Sequence, residues 1–150
     1  MALKWTLVKD GLPPESMDCF ACVYRPESDE VFRHGWLYAM CRYDTESGFD
    51  SQSRVYAWIR CPEKMPSRGW HRFLLPDARE PVFLVRTAAV NDDSVKDFVC
   101  DLGCLLEIKC NTRVWWCAYG NSSQPTAVIK WAKIPEIPAE LRDLEVSDHD

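Results

Sequence analysis

The chain has 150 residues, of which 47% are hydrophobic and 27% charged, and it carries a formal net charge of −5. That is the composition of a folded domain rather than a disordered segment. It offers neither the run of about 18 consecutive apolar residues that a membrane span requires nor the clustered Lys and Arg that nonspecific nucleic-acid binding requires.

Taken in chain order, Trp5 to Val8 reads as a short strand ended by Lys9-Asp10-Gly11-Leu12-Pro13-Pro14, because Gly and consecutive Pro cannot continue a hydrogen-bonded ladder. Asp18 to Tyr24 is a continuous apolar strand, and Pro26-Glu27-Ser28-Asp29-Glu30 reads as a turn. Val31 to Tyr43 returns as a long aromatic strand or strand pair, with Gly35 as a candidate bulge. The polar stretch from Asp44 to Ser53 is expected to be an exposed loop. Val55 to Cys61 closes this half, and Pro62 ends it.

The second half repeats the plan with one insertion. Val82 to Thr87 is a strand. Asn91-Asp92-Asp93 then precedes Val95, Phe98, Val99 and Leu102, an apolar set at helical spacing that predicts a short amphipathic helix over about 93–102, ended by Gly103. Leu105 to Lys109 and Val114 to Tyr119 read as strands joined at Asn111-Thr112-Arg113, and Ala127 to Ala132 is the closing strand. A single helical turn is expected within 138–144, ahead of an acidic tail.

The two halves share landmarks. Trp5 leads through Leu12-Pro13 to Cys19-Phe20-Ala21-Cys22-Val23-Tyr24, and Trp70 leads through Leu75-Pro76 to Val82-Phe83-Leu84-Val85. They close alike, with Trp58 followed by Pro62-Glu63 and Trp131 followed by Pro135-Glu136. A motif met twice in order implies two copies of one module. The expected fold is therefore α+β and predominantly antiparallel β: two similar small β modules packed together, residues 1–66 and 67–138, with the helix inserted in the second and a tail over 139–150.

The opening Trp5-Thr6-Leu7-Val8-Lys9-Asp10-Gly11-Leu12-Pro13 resembles that of a small domain-of-unknown-function family found mainly in phage and prophage reading frames. Its members open Trp-Ile-x-Val-x-Asp-x-Leu-Pro and close Thr-His-Trp-Met-Pro-Leu-Pro. The segments around Trp58 and Trp131 resemble that ending, except that the His before the closing Trp is Ala57 in one copy and Lys130 in the other. The resemblance implies an accessory protein of a mobile element and implies no reaction; with no apolar span and no signal-like apolar run at Met1-Ala2-Leu3-Lys4-Trp5, the expected location is the cytoplasm of the bacterial host.

Chemistry-bearing groups are sparse. Eight Cys suggest a metal or disulfide scaffold, but Cys19 and Cys22 are three apart in a strand, where they point to opposite faces. Cys100, Cys104, Cys110 and Cys117 show no paired ligand spacing. The cysteines are read as small apolar residues, with no metal and no cofactor expected. There is no phosphate loop, nucleophile elbow or His-Glu-x-x-His motif. His34 with Cys41 or Cys22 is the one conceivable acyl-transfer pair, so a thiol-dependent enzyme is the weakest reading and no catalytic residue is assigned.

A binding module is the stronger expectation. Protein interfaces concentrate Trp, Tyr, Met and Arg at their centres, and this chain sets Arg33 and His34 beside Trp36 and Tyr38, and Arg113 beside Trp115 and Trp116. If the latter strand forms, Trp115 and Trp116 must face opposite sides, so one of them is a candidate for exposure. The acids Asp44, Glu46 and Asp50 mark a second candidate surface, although with Asp92, Asp93, Asp97 and Asp101 they amount to too little charge for nucleic-acid mimicry. The partner expected from the resemblance is a host or competing bacterial protein, a defence-system component in its most specific form. A small-molecule or nucleotide-sequestering module, with a cleft between the copies as its pocket, is the alternative.

Overall fold

The computed structural model describes residues 3–25, 35–87, 98–108, 112–118 and 127–142. The chain divides into two compact units, one comprising Leu3–Cys61 with Pro135–Asp150 and the other Pro62–Ile134 with Met1–Ala2.

The first unit holds a five-stranded antiparallel sheet of β1 (Thr6–Leu7), β2 (Met17–Arg25), β3 (Gly35–Asp44), β4 (Gly48–Phe49) and β5 (Val55–Arg60), in the order β1-β5-β2-β3-β4. The continuous apolar run of β2 fits its central place. A strand with neighbours on both sides and cover on both faces has no polar face to show, and Cys19, Phe20, Ala21 and Cys22 are all fully buried. One face gathers Met17, Cys19, Ala21, Val23, Cys41, Tyr43 and Val55, with Trp58 packed against them. The segment after the second closing strand also belongs here, with the Trp5 indole Nε1 donating to the Pro135 carbonyl at 3.0 Å.

The second unit holds β6 (Val82–Arg86), β7 (Val99–Ile108), β8 (Thr112–Cys117) and β9 (Val128–Lys133), in the order β8-β7-β6-β9, all antiparallel. Its inner strand β6 is again apolar up to its last residue, Arg86, and Val82, Phe83, Leu84 and Val85 are fully buried. Val82, Leu84 and Trp131 form a core cluster against which Trp115, Cys117 and Val128 pack.

The pairing of the inner strand with the closing strand has the same register in the two sheets. Ala21 faces Trp58 across β2 and β5, and Leu84 faces Trp131 across β6 and β9. Each pairing then shifts at the next step, between Cys22 and Val23 in one sheet and between Val85 and Arg86 in the other. On their other side, Thr6 pairs with Trp58, and His71 bridges Trp131. Trp5 and Trp70, one residue earlier in each case, are both buried.

Three expectations are corrected. The inserted helix is not formed where it can be seen: Val99 to Leu102 lie in β7, Gly103 continues that strand, and 93–97 fall outside the described residues. Asp101 and Gly103 are poor strand formers, and each has a local reason to be there. Asp101 is fully buried against Arg86, whose Nε donates to Oδ2 at 2.7 Å, and it accepts from the Leu102 N–H through Oδ1 at 2.7 Å. At Gly103 a Cβ would strike the Trp116 carbonyl oxygen and lie 2.6 Å from Leu84 Cδ1, so only glycine permits this approach of β7 and β8. Second, Gly35 is not a bulge, since it pairs in register with Arg25 as the first residue of β3. Third, the stretch after Asp44 is exposed as expected at Thr45, Glu46, Ser47 and Asp50 but forms a hairpin, because Asp44 pairs with Gly48 and Tyr43 with Phe49. The only helix among the described residues is α1 (Ala139–Arg142), the expected single turn near the end.

Candidate functional site

The edge strand β8 puts two large apolar side chains outward. Trp115 lies opposite Leu105 and packs on the Val82, Leu84 and Trp131 cluster. Trp116, its neighbour, lies opposite Cys104 on the other face and is 53% exposed, with Val114 also exposed two residues before it. Alternation along a strand forces this division, and Gly103 fixes the approach of the backbone that carries Trp116. Half-buried Cys104 and Leu106 lie opposite Trp116 and Val114, so the face is continuous apolar surface. Arg113 stands at the start of the strand, its Nε 3.2 Å from Glu107 Oε1 across the ladder, with both side chains about half exposed. Because β8 ends the sheet order, its outer edge carries no further strand among the described residues.

The other expected site residues are placed differently. Arg33 and His34 lie outside the described residues. Trp36 is half-buried, edge-on to Tyr24 and to Tyr56 with ring centroids 5.1 Å apart in both pairs. The cation beside this cluster is Arg54, 5.1 Å above the Tyr56 ring. Tyr38 stacks on Trp5 at 6.0 Å, and burial raises its phenol pKa. Tyr38 therefore braces the Trp5 anchor instead of joining Trp36. Asp44 serves the turn: Oδ1 accepts from the N–H groups of Glu46 at 2.8 Å and Ser47 at 3.1 Å, and these bonds hold its carboxyl below the usual range. Glu46 and Asp50 are exposed on the same hairpin. The structure thus puts Val114 and Trp116 on one face of β8, sets Arg113 on the opposite face paired with Glu107, and gives Trp115, Tyr38 and Asp44 packing or turn roles.

The sequence reading passed over a second exposed stretch. Phe73 is 91% exposed, Leu74 66% and Leu75 47%. The signal was present: three consecutive bulky apolar residues in a link too short to fold back on itself. Six residues separate Trp5 from Leu12, whereas four separate Trp70 from Leu75. Even so, the backbone is held in the same way in both units. Trp58 Nε1 donates to the Gly11 carbonyl at 3.0 Å, and Trp131 Nε1 to the Leu74 carbonyl at 2.7 Å, each acceptor being the residue before Leu-Pro.

The described thiols are poor nucleophiles where they can be judged. Burial pushes Cys19 and Cys22 up to about 12 and Cys41 up to about 11, so almost none of each is thiolate at neutral pH. No group of three or more His, Cys, Asp or Glu among the described residues could hold a metal ion. The first unit contains a cavity of about 500 Å³ lined by Lys4, Trp5, Asp10, Pro135, Glu136 and Glu140, among others.

Comparison with protein-family models, with curated proteins and with solved structures returned no match. No helix among the described residues is long and apolar enough to cross a membrane.

Proposed function

We propose that the chain is a non-enzymatic binding protein that grips another protein through the exposed face of β8 and the edge that carries no further strand among the described residues. The observation that carries this reading is Trp116, half exposed on an edge strand with Val114 on the same face and Arg113 on the same strand. Burying a large exposed aromatic supplies much of the energy of a typical interface hot spot, and an open strand edge offers main-chain hydrogen bonds to an incoming strand. The resemblance of the opening segment to a phage and prophage family supports a bacterial partner. In its narrowest form the proposal is inhibition of a defence-system component by steric blocking.

The test is affinity capture from bacterial lysates with the full chain, with Trp116→Ala and with Trp36→Ala. A discrete partner kept by Trp36→Ala and lost by Trp116→Ala supports the proposal. Capture that ignores Trp116 refutes it.

The cavity of the first unit favours a second reading, a small-molecule site. Three of its lining residues are acids, Asp10, Glu136 and Glu140, against Lys4; Glu140 is already paired with Lys9 at 2.6 Å, which leaves two acids against one cation. That balance disfavours nucleotides and suits a cationic ligand. A thermal-shift screen separates the readings, because a ligand specific to the native state raises the melting temperature.

A further inference from the structure

Residues 64–75 combine exposed apolar side chains with three exposed cations, in a stretch bounded by the exposed acids Glu63 and Asp77. Phe73, Leu74 and Leu75 are exposed in succession, and Met65 is 42% exposed. Lys64, Arg68 and Arg72 are all exposed, and no Asp or Glu occurs from Lys64 through Pro76, in a chain whose net charge is −5. The Arg72 guanidinium lies 5.8 Å from the Phe73 ring centroid. The segment is pinned at its base by buried Trp70 and Pro76, and by the His71 N–H donating to the Trp131 carbonyl at 2.7 Å.

Two features select the partner. Consecutive side chains leave a backbone in different directions, so three in a row suit a fluid apolar medium, which surrounds them all, better than a single narrow pocket. The charge is the second. Three cations with no intervening acid complement an anionic surface, and do so locally despite the acidity of the remaining chain. The bond from Trp131 to the Leu74 carbonyl also reduces the cost of carrying that peptide into a medium poor in water.

We propose that residues 64–75 dock this protein on an anionic lipid surface, with Phe73, Leu74 and Leu75 entering the boundary between headgroups and acyl chains. Lys64, Arg68 and Arg72 face the lipid phosphates and carboxylates. This is surface attachment and needs no membrane span. The proposal uses none of the β8 residues and goes beyond the protein-binding reading.

The experiment is co-sedimentation of the full chain with phosphatidylcholine vesicles, with and without phosphatidylserine, at low and high salt. The expected result is binding to the phosphatidylserine vesicles that is roughly a hundredfold weaker to phosphatidylcholine alone and is weakened by salt. Phe73→Ser combined with Leu74→Ser should reduce it at least about tenfold while leaving the melting temperature unchanged, since both side chains are exposed. Arg68→Glu combined with Arg72→Glu should abolish the preference for phosphatidylserine, and Trp116→Ala should bind as the parent does. Absence of binding at low salt overturns the proposal, as does undiminished binding by the Phe73 and Leu74 variant or loss of binding by Trp116→Ala. A self-associating chain whose association depends on Phe73, with no vesicle binding, also overturns it.

Discussion

Trp58 and Trp131 occupy the same place in two different sheets. Each faces the middle of a buried apolar strand on one side, at Ala21 or Leu84, and a short segment after a buried Trp on the other, at Thr6 or His71. Each turns its indole N–H onto the carbonyl that precedes a Leu-Pro step. A side chain that makes the same pairings and the same hydrogen bond in both units marks equivalent positions in one repeated plan. The two sheets thus share this register and this hydrogen bond, where the sequence shares its landmarks.

Replacing either tryptophan by Phe keeps most of the apolar area and removes the indole bond. Each substitution should cost about 0.5 to 1.5 kcal/mol for the hydrogen bond, plus a smaller packing loss. Urea unfolding measures the cost. Limited proteolysis near Leu74 should be faster only in Trp131→Phe.

The buried pair Arg86 and Asp101 has no counterpart in the first sheet, where the register places Val23 and Ala39. Arg86→Val should therefore cost about 3 to 5 kcal/mol by removing the cation that buried Asp101 faces. Adding Asp101→Ala should return part of that stability, because the double variant reproduces the apolar pair of the other sheet. A double-mutant cycle decides the matter, and simple addition of the two costs would contradict the equivalence.

Gly103→Ala drives a methyl group into the Trp116 carbonyl and Leu84. The expected loss is about 1 to 3 kcal/mol, accompanied by displacement of β8. Partner binding through Trp116 should fall with it. Trp116→Ala, by contrast, should change stability by no more than about 0.5 kcal/mol, while Trp115→Ala should cost about 3 kcal/mol. Denaturant titration of the three variants tests the division of β8 into a packed face and an open one.

The buried thiols give a pH dependence of known sign. Below the usual thiol value of 9.0 the groups are protonated whether the chain is folded or not, and their contribution is fully present. Above it the unfolded chain ionises first, while Cys19 and Cys22 resist until about 12 and Cys41 until about 11. Stability should therefore fall as pH rises from 9 toward 12, with the raised Tyr38 acting in the same direction. Urea midpoints at about pH 8 and about pH 10.5 provide the check. The same three cysteines should react slowly with a thiol reagent at neutral pH.

What the sequence could show follows from how each residue earns its place. Continuous apolar runs announced β2 and β6, and repeated Trp and Leu-Pro landmarks announced the matching hydrogen bonds of Trp58 and Trp131, because these residues act through burial and turn geometry that a pattern records. The start of β7, Val99 to Leu102, was misread as helix because Asp101 and Gly103 break strand wording, whereas its later part from Leu105 was read as strand. Both are explained only by neighbours distant in sequence, Arg86 in one case and Trp116 in the other. The matching register shifts after Cys22 and Val85 were invisible for the same reason. On β8, alternation alone required Trp115 and Trp116 to part, but which of them met the core depended on pairing with Leu105. The exposed tip at Phe73 was overlooked since Leu75-Pro76 was read only as a repeat landmark.

Hydrogen exchange of the tryptophan indole protons, followed by nuclear magnetic resonance on the full chain, tests the repeated plan most directly. The account predicts that the Trp58 and Trp131 indole protons are both protected, and that Trp116, half exposed, exchanges near the solvent rate. Protection of one of the pair with free exchange of the other would contradict it.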